Sequence, residues 1–335
     1  MMESNITIKK AVLHILDNTG GVSVVSDKEL ILSAEIEEYL TKHIDKCFLD
    51  IDVKNTRFIE DENAFLAGVR AYISGGSFLE LSKSIAEDFI TAMEEGSEIP
   101  SADLVVVEFS IDHVPYLGVL KFNYKRSYIH FVETENGIRN TIVRQPCALP
   151  LETQKLEEFA LVNLNDYSIK LKERFYEIKG DKTLYISREI LKSKGAISEK
   201  GVVDMVEKTV KKIVRDSYEN DLLKYNAFKN TITEDYINNQ EINIDNIAES
   251  TFEDESGRQA FKEELEKTGL RDSRIKISHN AEKRVLRKQK LVTDTGIEIS
   301  IPASYLNDSS IVEFINNTDG TISITIKNIV NVDNK

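Results

Sequence analysis

The two apolar runs at residues 104–109 and 116–122 constrain this chain more than any other feature. Leu104-Val105-Val106-Val107-Glu108-Phe109 and Tyr116-Leu117-Gly118-Val119-Leu120-Lys121-Phe122 are joined by Ser110-Ile111-Asp112-His113-Val114-Pro115. Short, nearly continuous apolar runs on either side of a turn read as two antiparallel strands with both faces buried. They are the most core-like part of the sequence, and the remaining elements must cover them.

Upstream, Ile6, Ile8 and the apolar residues at 11–16 predict a strand, and Asp17-Asn18-Thr19-Gly20-Gly21 predicts a turn before 22–25 resume, so a hairpin opens the chain. Ser26 reads as the N-cap of a helix carrying Leu30, Ile31, Ala34, Ile36, Tyr39, Leu40 and Ile44 at helical spacing. Two further helices are predicted over 60–73 and from Phe78 towards Met93. Downstream, strands are predicted at 128–132, 141–143, 161–164, 168–171 and 184–186. From about 198 the pattern turns helical, with Val202, Val203, Val206, Val210, Ile213 and Val214 three and four apart and 218–228 extending the helix. Short helices start at Ile244-Asp245 and Ser256, and strands return at 297–301, 312–315 and 321–326 around an Asp319-Gly320 turn. The fold class is therefore α+β: a mixed or antiparallel sheet with flanking helices, a helical middle unit and a small β-rich C-terminal end. The expected boundaries are 1–195, 196–280 and 281–335.

Functional motifs are scarce. Cys47 and Cys147 form no CxxC pair, which fits a reducing compartment and two buried thiols. The N-terminus lacks the pattern of a secretory signal, and no run approaches the roughly 20 apolar residues of a membrane span, so a cytoplasmic chain with no membrane partner is expected. Gly20-Gly21 and Gly75-Gly76 fit turns rather than phosphate loops. The five histidines form no HExxH, and no nucleophile elbow is present. Neither a metal, nor a cofactor, nor a catalytic residue is expected. On the strand pair, a nuclease acid-x-Lys would need a carboxylate at 119, where Val119 stands, leaving only Asp103 and Glu108 for a divergent metal-dependent nuclease.

Charge gives the stronger signal. The chain carries 43 Lys and Arg against 57 Asp and Glu, a net −14, yet residues 267–290 hold nine cations and two anions. That stretch is +7, leaving −21 elsewhere. Its cations are Lys267, Arg271, Arg274, Lys276, Lys283, Arg284, Arg287, Lys288 and Lys290. A concentrated patch can release counterions from a duplex even on an acidic protein. Two lesser clusters join it as DNA-binding candidates. Lys121, Lys125 and Arg126 lie among Phe122, Tyr124 and Tyr128, while Lys208, Lys211, Lys212 and Arg215 share a helix face opposite Val206, Val210 and Ile213. No zinc finger, basic zipper or recognition helix is there to read bases.

The order of these landmarks resembles the bacterial nucleoid-associated protein family known through the NdpA and YejK proteins. The resemblance rests on Ala11-Val12-Leu13-His14-Ile15-Leu16, on Phe78-Leu79-Glu80-Leu81-Ser82-Lys83, on Ala102 to Val107 followed by Tyr116 to Lys121, and on Gly296 to Ile301 with Asp319 to Ile324. It implies a DNA-associated protein of the nucleoid, serving chromosome organisation, with no established catalytic role and no catalytic residues to carry over. The expected partner is double-stranded DNA bound without sequence preference, with nucleoid proteins and a homodimer as further partners. The competing readings are an interaction module recruited to the nucleoid by a partner, and the divergent nuclease.

Overall fold

The computed structural model describes residues 5–331 except 97, 135, 136, 220, 271, 287, 303, 304, 306, 307, 318 and 320, and except the side chains of Pro146 and Asn316. The chain divides into two compact units, one running through Ile197 and the other starting at Ser198.

The first unit is built on a six-stranded antiparallel sheet in the order β1-β3-β4-β7-β8-β2. Its strands are β1 (Ile6–Leu16), β2 (Lys54–Arg57), β3 (Ala102–Ile111), β4 (Val114–Asn123), β7 (Glu158–Asn163) and β8 (Ser168–Lys172). Val12, Leu104, Val106, Leu117, Val119 and Val162 face one core with α2 (Ala64–Ile73) and α3 (Phe78–Glu95), which contribute Phe65, Val69, Ile85 and Phe89. Val105, Val107, Phe109, Leu120 and Leu161 face another core with Leu40, Ile44 and Cys47 of α1 (Ala34–Phe48). Helices on both sides explain why the central strands are apolar at nearly every position. Gly118 is needed on the α1 side, where a Cβ would lie 2.8 Å from Val107 Cγ1 and 3.1 Å from Phe109 Cε1. At the turns, Gly20 and Gly75 have φ of +97° and +102°, a conformation that favours glycine.

Beside this sheet stands a separate two-stranded ribbon, β5 (Lys125–Glu133) with β6 (Arg139–Ala148). A short hairpin, β9 (Tyr176–Ile178) with β10 (Asp181–Thr183), precedes a π-helical turn over Ile186–Ile190. That turn replaces the strand expected at 184–186: three apolar residues carry no period, and Tyr185 and Ile186 are buried by turning in rather than by pairing.

Three other expectations change. The first helix begins after Ser33, whose side chain accepts from Ile36 N–H, and not at Ser26. Ser26 instead donates its N–H to His14 Nδ1 (3.1 Å) and its hydroxyl to the Leu13 carbonyl (2.5 Å), and Leu30 N–H donates to the Ala11 carbonyl (2.7 Å), which ties this segment to β1. Cys47 is buried, and burial holds its thiol well above the ordinary value, but Cys147 is exposed on the ribbon. Residues 218–228 do not extend the preceding helix: α4 (Glu199–Ser217) ends at Tyr218, and α5 (Leu222–Asn239) starts anew after the Asp221 cap.

The second unit packs α4 against α5 and α7 (Glu255–Lys267), and α5 against α6 (Ile244–Thr251). Among the described residues its strands form three two-stranded pairs: β11 (Glu241–Asn243) with β12 (Arg274–Lys276), β13 (Gln289–Val292) with β14 (Glu298–Ile301), and β15 (Val312–Asn316) with β16 (Ile322–Ile326). Among the described residues no helix is long and apolar enough to cross a membrane.

Candidate nucleic-acid interface

The basic stretch is neither one helix nor one strand. It leaves the end of α7, forms β12, passes through a 3-10 turn at His279–Ala281 into α8 (Glu282–Val285), and ends in β13. Arg271 and Arg287 lie outside the described residues. Lys267 pairs with Glu264 (3.4 Å), Arg274 with Glu241 (3.9 Å) and Lys290 with Glu298 (2.8 Å). These exposed pairs are weak in water, so a phosphate can compete for the same cations. Lys276, Lys283 and Lys288 are exposed, and no ion pair engages them among the described residues.

Arg284 is different. Its guanidinium donates to Asp204 from Nε (2.7 Å) and Nη2, and Nη2 also reaches Glu207 (3.1 Å), with the side chain 13% exposed. Its expected role at a DNA phosphate is therefore corrected: Nε and Nη2 are spent inside the unit, holding α8 to α4, and Nη1 is buried.

On α4 the Ser198 side chain caps the helix by accepting from Gly201 N–H (3.1 Å), and the valine stripe is buried, which turns the four cations outwards. Lys208 is exposed and free of ion pairs among the described residues. Lys211 pairs with Glu207 (2.9 Å) and sits over the Tyr225 ring; Lys212 pairs with Glu264, and Arg215 with Asp216 (2.8 Å).

Lys121 is the second correction. It lies in the middle of the sheet at 1% exposure, its Nζ donating to Asn123 Oδ1 (2.7 Å) and Glu158 Oε2 (2.8 Å). Tyr176 OH (2.9 Å) and Tyr185 OH (3.0 Å) complete the Glu158 carboxylate. Burial pushes the Lys121 ammonium down and Glu158 opposes that shift. No phosphate can approach it. Phe122 is buried on the other face, and Tyr124 donates to Asp103 Oδ1 (2.9 Å). Lys125, paired with Glu157 at 3.5 Å, and exposed Arg126 remain available at the base of the ribbon.

Two features escaped sequence reasoning. One is an open groove of about 620 Å³ lined by Glu282, Lys283, Leu286, Lys288, Lys290 and Ser300, which gathers three of the candidate cations. The other is a pairing on the ribbon, whose two strands the sequence does predict: Tyr128 stands directly across from Arg144, with Tyr128 70% exposed. The alternating pattern of β6 offered a signal for Arg144, but charge density alone does not single it out.

The carboxylates considered for a nuclease do not converge. Asp103 and Glu108 stand five positions apart on β3, so they point to opposite faces. Glu108 accepts from Tyr72 OH and pairs with Lys9 (3.2 Å). Among the described residues, no three His, Cys, Asp or Glu side chains gather as a metal site.

A family model described as nucleoid-associated protein YejK matches residues 12–332. The chain belongs to this nucleoid-associated protein family. No curated protein matches it. The match covers both units, and with them the groove, the α4 face and the ribbon. The family description names an association with the bacterial nucleoid and no reaction.

Proposed function

We propose that this nucleoid-associated protein binds double-stranded DNA directly and without sequence preference, as a non-catalytic component of the cytoplasmic nucleoid. The contact runs through the second unit. The observation that carries the reading is the convergence of Lys283, Lys288 and Lys290 on one open groove, two of them without a carboxylate partner among the described residues. Lys208, Lys276, Lys267 and Arg274 extend the cationic surface, and Lys125 and Arg126 supply a separate contact on the first unit. Contacts of this kind neutralise phosphates and read no base edges.

Duplex binding across a salt series tests it. Replacing Lys283, Lys288 and Lys290 together by Gln should weaken binding and flatten the log-log salt slope by roughly two to three units, close to 0.9 per lost phosphate contact. An unchanged slope overturns the assignment. Arg284 is left intact in this variant, because its loss would disturb α8 rather than a DNA contact.

A second reading, recruitment by a nucleoid protein, is favoured by the ribbon. Ile129 and Phe131 share one ribbon face and are 46% and 52% exposed, an apolar patch suited to a protein partner. Purified protein that shifts no duplex even at low salt would favour that reading over direct contact.

A further inference from the structure

Within the second unit, a cavity of about 330 Å³ is lined by Lys211 of α4, Tyr225 and Lys229 of α5, and Lys288, Gln289 and Lys290 at β13. Glu207 also lines it and is shared by several donors. It pairs with Lys211 (2.9 Å), Lys229 (3.1 Å) and Arg284 (3.1 Å) and accepts from Tyr225 OH (2.7 Å). Asp204 adds a second anion at Arg284, and Glu298 a third at Lys290. Five cations thus face three carboxylates, an excess of two positive charges around a concave site. Lys229 is buried at 4% exposure and shares its counterion Glu207 with Lys211 and Arg284, so an incoming anion is favourable there. Burial indeed depresses the Lys229 ammonium, with Glu207 only opposing the shift.

Gln289 supplies an independent observation. It is 5% exposed, and both its amide nitrogen and its amide oxygen are buried without a hydrogen-bond partner among the described residues. Two donor hydrogens and a carbonyl acceptor therefore stand idle on a residue that lines a cationic cavity, a situation that native proteins seldom leave unexplained.

We propose that this cavity binds a small phosphate ester, with the phosphate against Lys211, Lys288 and Lys290 and a polar group of the ligand against Gln289, whose idle amide turns to meet it. A phosphate monoester carries about −1.5 to −2 near neutral pH, which matches the excess charge. The volume lies at the lower end of small-molecule sites, roughly 300 to 1,000 Å³, and is far too small for a duplex. The same chemistry is presented by a free sugar phosphate or mononucleotide and by the 5′-phosphate at the end of a nucleic-acid strand. This site does not depend on duplex binding, although Lys288 and Lys290 border both surfaces.

Calorimetric titration of the full chain with ribose 5-phosphate, 5′-AMP, adenosine, and 5′-phosphorylated and 5′-hydroxyl single-stranded oligonucleotides tests it. The expected result is binding of the free phosphorylated probes, with adenosine about tenfold weaker or worse. Binding of the 5′-phosphorylated oligonucleotide over its hydroxyl form, without the free esters, supports the site with a strand end as its source. Gln289→Leu should lose about tenfold in ester affinity while keeping its circular dichroism and its affinity for blunt 5′-hydroxyl duplex. Lys211→Met, at a half-exposed position, should weaken the phosphorylated probes selectively. Absence of binding by every phosphorylated probe at about 1 mM, or equal affinity in Gln289→Leu, overturns the proposal.

Discussion

Around β3 and β4 the first unit is held by apolar side chains on both faces of one sheet, whereas around Glu207 the second is tied by a carboxylate that gathers Lys211, Tyr225, Lys229 and Arg284 from three helices. The contrast extends to single helices. The buried side of α3 is Phe78, Leu81, Ile85, Ala86, Phe89, Ala92 and Met93, with Ser82 the one polar member. That of α5 includes Asn226, Lys229, Asn230, Thr233 and Asp235. Apolar contact is non-directional and tolerates some repacking, but a shared carboxylate works only while every donor keeps its place. Two units of one chain can therefore differ in what damages them.

The comparison breaks first if the sheet core is not the main support of the first unit. Phe89 is 1% exposed and meets the Tyr185 ring edge-on at 5.9 Å, so Phe89→Ala should cost about 4 kcal/mol in denaturant unfolding. A loss below about 1 kcal/mol would mean that the helix layer is dispensable. In the second unit, Glu207→Gln keeps the shape and removes the charge, leaving Lys229 buried without a counterion. The expected cost is about 3 kcal/mol.

The Glu207 carboxyl is held far below its ordinary value of 4.5, with burial opposing the shift and Lys229, Lys211 and Tyr225 producing it. Its folded state binds fewer protons than its unfolded state, so this contribution is complete above about pH 4.5 and fades as the solution is acidified below it. Acid titration of the Glu207→Gln variant should be flatter in that range, and an identical profile would remove Glu207 from its central place.

The smallest effect sharpens the contrast from the other side. His14 is fully buried on β1, and burial first, with Lys83 second, lowers its pKa from 6.5 to about 4. A lowered histidine pKa makes the unfolded state the better proton binder between these values. Stability should fall by about 2 kcal/mol as pH drops from 6.5 to 5. The unfolding midpoint of His14→Leu should lose that dependence; if it does not, another group titrates there.

These differences also decide what could be read from the sequence. The β3 and β4 strands were legible because burial on both faces leaves a short continuous apolar run, and the α3 stripe because burial on one face leaves a helical period. The buried side of α5 was not legible, since Asn226, Lys229 and Asp235 look like surface residues until a fold surrounds them. The same holds for the two misplaced cations. Arg284 meets Asp204 80 residues away, and Lys121 meets Glu158 37 residues away, so no local window contains both charges. Charge density located the basic stretch, but which of its cations face water depended on partners brought in by tertiary structure.

The Lys121–Glu158 pair has a further consequence, for alignment within the sheet. The two residues stand directly opposite each other between β4 and β7, where Val119 also faces Ala160 and Leu117 faces Val162. A slide by one residue would turn the apolar faces over and is forbidden by them. A slide by two would keep every face and merely exchange one aliphatic neighbour for another. It would also set Lys121 against Ala160 or Leu156 and strand both charges in the dry interior. The ion pair thus works as a ratchet tooth: oil chooses the side of the sheet, and a single pair of opposite charges chooses the notch.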